Sequence, residues 1–408
     1  MRIGNCSGFY GDRLSAMREM LEGGPLDVLT GDYLAELTML ILGRDQLKDP
    51  SLGFARTHLR QLQDCLGLAL ERGVKIVTNA GGLNPAGLAE QVRALGTGAQ
   101  VAHVEGDDLR PLGLYDGALT ANAYLGAAGI ARALESGADV VVTGRVTDAS
   151  LVVGPAMAHH GWSATSYDEL AGAVVAGHVI ECGTQATGGN FSGFRSLDLS
   201  RPLGFPIAEV AADGSSVITK HDGTGGAVTL DTVTAQLLYE IQSTDYLNPD
   251  VTVDLTSVRL TQAGDDRVAI APVSGSAPPE QLKVCVNELG GFRNQLEFVL
   301  TGPDVDEKVA LVRAQLEPAL TAEEVHWSLL RGEVSLLRCT VLDPEAGPVG
   351  RAFTGPAVEL ALASYPGFTM TTPPQPGTPY GVYRPEYVDR AQVHQVVVHA
   401  DGRREGVA

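Results

Sequence analysis

Short apolar runs alternate with helical stripes through the first half of the chain. Residues 2–5, 26–30, 74–78, 100–104 and 140–143 are runs rich in β-branched side chains, as strands buried on both faces are. Between them, apolar positions recur at helical spacing. Leu14, Met17, Met20 and Leu21 share one face and stop at Gly23-Gly24, and Leu59, Leu62, Leu66 and Leu70 share another and stop at Gly73. The pair Asn84-Pro85 predicts a helix start, an N-cap followed by proline at the first helical position. A small-residue helix is expected over 121–136, and further helices near 149–160 and 168–182.

Beyond residue 195 the pattern changes. Short alternating runs flank Asp213-Gly214 and the stretch from His221 to Gly226, as in hairpins. Strands are expected at 253–261, 268–272, 282–286 and 295–300, with helices at 232–241 and 305–316. The whole predicts an α/β fold: a mainly parallel sheet with helices on both faces over residues 1–195, plus a second α+β lobe over 196–408. In that lobe, residues 365–383 are rich in Pro and Gly and carry Phe368, Tyr380 and Tyr383. They form a loop that either covers a site or crosses between lobes. Residues 403–408 are expected to fray.

Every predicted strand of the first half ends in a polar or glycine-rich cluster: Asn5 to Gly8, Gly31-Asp32, Asn79 to Asn84, Glu105 to Asp108, and Gly144 to Asp148. In a parallel sheet these ends lie along one edge and face one crevice. Arg145 and Asp148 are the foremost pair there, because a buried guanidinium needs a carboxylate or an anionic ligand. Asp32 is a candidate proton carrier on the neighbouring strand. His178 and Glu181, three apart, share a face if their segment is helical and diverge if it is a strand. The expected catalytic set is therefore Asp32, Arg145, Asp148, His178 and Glu181. The expected substrate-binding set is Cys6, Ser7, Asn79, Gly81, Gly82, Asn84 and Asn190. Cys6-Ser7 offers either a nucleophile or a turn exposing N–H groups to an anion, and Asn79 to Asn84 either a nest for an oxyanion or a turn that merely requires glycine. Glu105, Asp107 and His178 are the alternative, a divalent-metal hydrolase site.

Composition narrows the partners. The chain has 408 residues, 44 % hydrophobic and 19 % charged, and a formal net charge of −20. Such acidity argues against nucleic acid and against anionic membranes, both of which need clustered Lys and Arg. The five cysteines, Cys6, Cys65, Cys182, Cys285 and Cys339, have no CxxC spacing, which fits a reducing compartment without a structural zinc site. No signal-like apolar segment opens the sequence, so a cytoplasmic location is expected. Dinucleotide, P-loop, HExxH and GxSxG signatures are absent from the sequence, and no resident cofactor or metal is expected. The expected partners are a small-molecule substrate and further copies of the chain.

The blocks MRIGNCSGFYGDRLSAM, LDVLTGDYLAELTM, KIVTNAGGLNP, VVVTGRVTDASL, HVIECGTQATGGNF and YPGFTMTTPP resemble the acyclic terpene utilisation protein AtuA family, in the same order and across nearly the whole chain. The resemblance implies a bacterial cytoplasmic protein associated with the catabolism of acyclic terpenes such as citronellol and geraniol, which runs through branched acyl-CoA intermediates. Many members carry an extra C-terminal ferredoxin-like domain, which this chain is expected to lack. Together with the crevice, the resemblance points to an enzyme, a lyase or hydratase, with a non-catalytic binding or scaffold subunit as the alternative.

Overall fold

A computed structural model describes residues 1–407. Its largest sheet is built on five parallel strands, β1 (Arg2–Asn5), β2 (Val28–Gly31), β3 (Lys75–Thr78), β4 (Val101–Glu105) and β5 (Val140–Thr143). They lie in the order β1-β2-β3-β5-β4. Alternate side chains enter different cores, as the two-residue period of a strand requires. Leu29, Ile76, Val140 and Val142 pack with Met17, Leu62 and Leu88, whereas Val28, Val77, Ala102 and Val141 pack with Ile130, Val153 and Val174. Helices Ala16–Gly23, Arg56–Glu71 and Pro85–Arg93 thus cover one face, and Ala128–Glu135, Ser150–His160 and Tyr167–Glu181 the other. Handedness explains the change of face. The connection from β4 to β5 runs backwards across the sheet, so a right-handed crossover puts its helix on the opposite side.

The sheet is mixed, which corrects the expectation of a mainly parallel one. Pro206–Val210 pairs antiparallel with β1 and is followed outward by Ser216–Lys220, Arg267–Ile270 and Leu260–Gly264. On the other side, Gln395–Val398 pairs antiparallel with β4, and Arg404–Val407 pairs with it in turn. The alternating runs after residue 195 therefore extend the first sheet and cover the edge of β1, whose backbone groups would otherwise be open. The expected frayed end is strand over Arg404–Val407, and Ala408 lies outside the described residues.

The chain divides into two compact units, Met1–Asn287 with Tyr383–Ala408, and Glu288–Val382. Residue 195, the expected boundary, falls inside the first. The second unit draws on strands Gln281–Leu300, Glu324–Leu330, Ser335–Asp343 and Thr378–Asp389, with helices Val305–Leu316 and Arg351–Glu359 between them. Taken in chain order, its strands are arranged 2-3-1-4, the βαββαβ order of a ferredoxin-like module. Leu296, Phe298, Leu300, Leu337, Cys339 and Val341 alternate onto one face and bury Val312, Leu316 and Phe353 from the helices. Tyr365 and Phe368 pack into this same core around Phe298, so this part of the 365–383 stretch is internal packing. Among the described residues no helix is long and apolar enough to cross a membrane.

Candidate functional site

The C-terminal ends of β1, β2 and β5 open onto a cavity of about 560 Å³ in the first unit, lined among others by Gly8, Asp32, Leu34, Arg145, Thr147, Asp148, His178, Glu181 and Asn190. Segment 167–181 is a helix, buried at every position from Leu170 onward, so His178 and Glu181 do share a face. Asn5 at the end of β1 fixes where that helix stops. Its Nδ2 donates to the carbonyls of Ile180 (2.7 Å) and Glu181 (3.0 Å), two of the acceptors a helix C-terminus leaves without partners.

Three acidic side chains and a histidine form one end of the cavity. Glu181 Oε1 meets His178 Nδ1 at 3.0 Å, and His178 Nε2 lies 3.2 Å from the carbonyl of Leu237. A carbonyl only accepts, so Nε2 must carry a proton. Burial works against a charged imidazole, but Glu181 and the Leu237 carbonyl outweigh it and raise the His178 pKa, so a histidinium facing a carboxylate fits both contacts. The second oxygen of Glu181 is buried without a hydrogen-bond partner. Asp32 accepts from Asn79 Nδ2 at 2.6 Å. Burial, then the charge of Asp148, push its carboxyl well above the usual range. Burial also pushes Asp148 up to about 7, with repulsion from Glu181 and Glu36 adding to the rise and Arg145 opposing it.

The other end is cationic and aromatic. The Arg145 guanidinium is buried, donates to the carbonyl of Leu34 at 2.6 Å, and lies 4.3 Å from the Tyr124 ring centre. It approaches Asp148 Oδ1 at 3.3 Å as an ion pair without hydrogen-bond alignment; that oxygen and Arg145 Nε both lack hydrogen-bond partners. Lys283 stands 4.9 Å from the same ring, and the Tyr124 hydroxyl donates to Glu36 at 2.6 Å. Burial disfavours the Glu36 carboxylate, but Arg145, Tyr124 and Lys283 hold its pKa below the ordinary value. The cavity thus keeps one carboxylate ionised at this end and, at the other, two carboxyls that burial pushes up, Asp148 to about 7 and Asp32 well above its ordinary value, the separation of acid strengths that general acid–base chemistry uses.

Two expected strand ends serve the cavity from behind. Asn79 is fully buried, orients Asp32 and accepts from Tyr33 N at 2.8 Å. Asp107 accepts from Arg145 N at 2.8 Å and from Asn122 at 2.8 Å, and burial raises it to about 6. The remaining binding candidates are used by the fold. A side chain at Gly81 would meet the Thr143 carbonyl and Pro85, and Gly82 has φ +53° with the Gly53 carbonyl 2.7 Å from where a Cβ would sit. Asn84 caps its helix through Gly87 N at 2.9 Å. Ser7 donates to the Phe9 carbonyl. Cys6 is buried, and burial together with Asp12 drives its thiol far up, against a nucleophilic role. Asn190 does line the cavity, with φ +54°. The alternative metal set is not assembled. Glu105 pairs with His103 and Arg404, Asp107 with Asn122, and His178 with Glu181. Among the described residues no three His, Cys, Asp or Glu side chains are grouped to hold a metal ion.

Sequence reading missed Glu36, Tyr124, Tyr246, Glu240 and Lys283. The stretch expected as a helix over 121–136 begins with a strand, Thr120–Ala123, which pairs with Val284 to Asn287; Tyr124 N then donates to the Lys283 carbonyl at 2.9 Å. That distant pairing sets the two side chains together. Tyr246 packs edge-on against His178 with ring centres 5.3 Å apart. Glu240 holds φ +63° at the cavity wall, a backbone state that non-glycine residues adopt at a cost and that gathers at functional sites.

No curated protein matched the sequence. The profile of the family described as acyclic terpene utilisation family protein AtuA matches residues 1–399. The chain belongs to the AtuA family, which suggests a part in acyclic terpene utilisation.

Proposed function

We propose that this protein is a cytoplasmic enzyme of branched acyl-CoA or carboxylate catabolism, a hydratase or lyase that adds water to, or removes it from, a carbon–carbon double bond conjugated to a carbonyl. The observation that carries this reading is the pairing of a carboxyl raised to about 7, Asp148, with the partnerless oxygen of Glu181 in the same cavity.

In the hydration direction, Arg145 and Lys283 hold the substrate carbonyl or carboxylate at the Tyr124 end. Water loses a proton to the free oxygen of Glu181 as its own oxygen bonds to the β-carbon. The π-bond breaks, and the α-carbon takes the proton of Asp148. Product departure and transfer of the proton from Glu181 to Asp148, through solvent or directly, restore the starting state. Dehydration is the reverse. His178 holds Glu181 in place, and Asn79 fixes Asp32, which supplies a reserve proton beside Asp148.

The test is turnover of α,β-unsaturated acyl-CoA thioesters and the free acids, followed by mass detection of the 3-hydroxy product. Asp148→Asn keeps the shape and loses the proton, and its kcat is expected to fall about 100-fold or more. Binding without turnover by the wild type across both series, or full activity of the variant, would overturn the proposal; the former result would favour a non-catalytic binding subunit.

A further inference from the structure

Lys283 lines the main cavity and also an adjoining chamber of about 250 Å³. Its Nζ lies 4.9 Å from the ring centre of Tyr124 and 5.9 Å from that of Tyr383. Tyr383 comes from strand Thr378–Asp389, the neighbour of Gln281–Leu300, which carries the lysine. It ends the aromatic stretch whose earlier members, Tyr365 and Phe368, pack elsewhere. Burial raises its pKa and the lysine opposes the rise. Ring faces attract a cation but take up little of its hydrogen-bonding capacity. The ion-pair partner, Glu36, has its Oε1 3.8 Å away, too far for a hydrogen bond, and that oxygen already accepts from the Tyr124 hydroxyl. The N–H donors of Lys283 are therefore largely left for a ligand.

The charges around the Tyr124 ring do not cancel. Arg145 and Lys283 both stand against it. Glu36 answers one of them. Asp148 answers Arg145 only in part, since it approaches at 3.3 Å without hydrogen-bond alignment and its carboxyl titrates near 7. One further negative charge fits at this end. The rest of the cavity wall has the opposite sign: it carries Asp12, Asp32, Asp148, Glu181 and Glu240, and no Lys or Arg besides Lys283 and Arg145.

We infer that the substrate is a free carboxylic acid, its carboxylate bound by Lys283 between the rings of Tyr124 and Tyr383, and not the CoA thioester of that acid. The inference rests on reading the main cavity as the reaction site, and it chooses between the two substrate classes that this reading leaves open. A carboxylate takes a charge-assisted hydrogen bond from the ammonium, about twice as strong as the bond a neutral thioester carbonyl would take. The substrate's charge then lies where the wall is cationic, and its uncharged part runs towards Asp148 and Glu181. A CoA thioester reverses this match. Its carbonyl is neutral, and its phosphate groups need cations that neither chamber supplies, because Lys283 is the one charged residue lining the second. The formal net charge of −20 also works against drawing in a polyanion. Tyr383 is a positioning residue in this scheme: it holds the lysine against the Tyr124 end.

The experiment is calorimetric binding of hexanoate, hexanamide and hexanoyl-CoA to the full chain. All three are saturated and cannot be hydrated, and the amide keeps the shape of the acid without its charge. The acid is expected to bind at least tenfold more tightly than the amide, and the thioester no more tightly than the acid. Lys283→Met keeps the stem and removes the charge; it is expected to bring the acid-to-amide ratio below threefold. Tyr383→Leu, at a half-exposed position, is expected to cut the ratio at least twofold, whereas a merely structural role would weaken acid and amide alike. A smaller ratio in the wild type, a thioester that binds more tightly than the acid, or a ratio that both variants leave intact would overturn the inference. Preference for the acid without hydration of any unsaturated acid would keep the carboxylate site and remove only the hydratase reading. Hydration of unsaturated thioesters by a protein that does not prefer the acid would do the opposite.

Discussion

The turn after β3 and the turn after β5 look alike in sequence and do different things. NAGGLNP and TGRVTD both leave a buried strand through glycine and polar residues at the same edge of the same sheet. After β3, the polar side chains of the turn are used by the fold. Asn79 serves Asp32 and Tyr33, Asn84 caps a helix and donates to the carbonyls of Ser51 and Leu52, and the glycines are pressed against backbone. After β5, capacity is left over: Arg145 Nε and Asp148 Oδ1 lack hydrogen-bond partners although both are buried, and both residues line the cavity. A polar strand end is therefore an address, and unspent hydrogen-bonding capacity is what marks a place for a ligand.

The contrast can be broken by substitution. Arg145→Ala should have the largest effect. It removes the counter-charge of Asp148 and the contact to the Leu34 carbonyl, and urea denaturation is expected to show a loss of about 3 kcal/mol, with binding of acyl ligands abolished. Asn84→Ala should cost the helix cap and the contacts to the Ser51 and Leu52 carbonyls, about 2 kcal/mol by the same measurement, and leave ligand affinity at the wild-type value. If Asn84→Ala weakened binding tenfold or more at unchanged fold, the turn after β3 would be part of the site and the contrast would fail.

Much of the central sheet was legible in the sequence because its strands are short, β-branched and capped by recognisable turns. Helix Tyr167–Glu181 was legible as a helix, and with it the His178–Glu181 pairing, because an i, i+3 spacing follows from helical geometry alone. The mixed character of the sheet was not, since alternating runs after residue 195 are equally compatible with a new lobe and with extra strands on an old edge. Tyr124 and Lys283 were hidden for a related reason. They are 159 positions apart, and what joins them is the pairing of Thr120–Ala123 with Val284 to Asn287, a tertiary contact that overrides the alanine-rich helical preference of the first segment. Glu240 falls inside the stretch expected as helix over 232–241 but lies past the end of the helix Leu230–Leu237, and Tyr246 sits in the three-residue strand Asp245–Leu247, too short to leave a periodic signal.

The cavity holds the Asp148 carboxyl at the threshold of neutrality. Its folded pKa lies above the ordinary 3.8, so the stability that the protonated carboxyl contributes is full below about 4 and is lost as pH rises towards 7, the reverse of a salt-bridged aspartate. The direct measurement is an NMR titration of carboxyl-labelled protein, with Asp148→Asn used to assign the resonance. The midpoint is expected near 7 and is expected to fall in Glu181→Gln, which removes the repulsion from Glu181. An Asp148 carboxyl that titrates near 4, unmoved by Glu181→Gln, would contradict it.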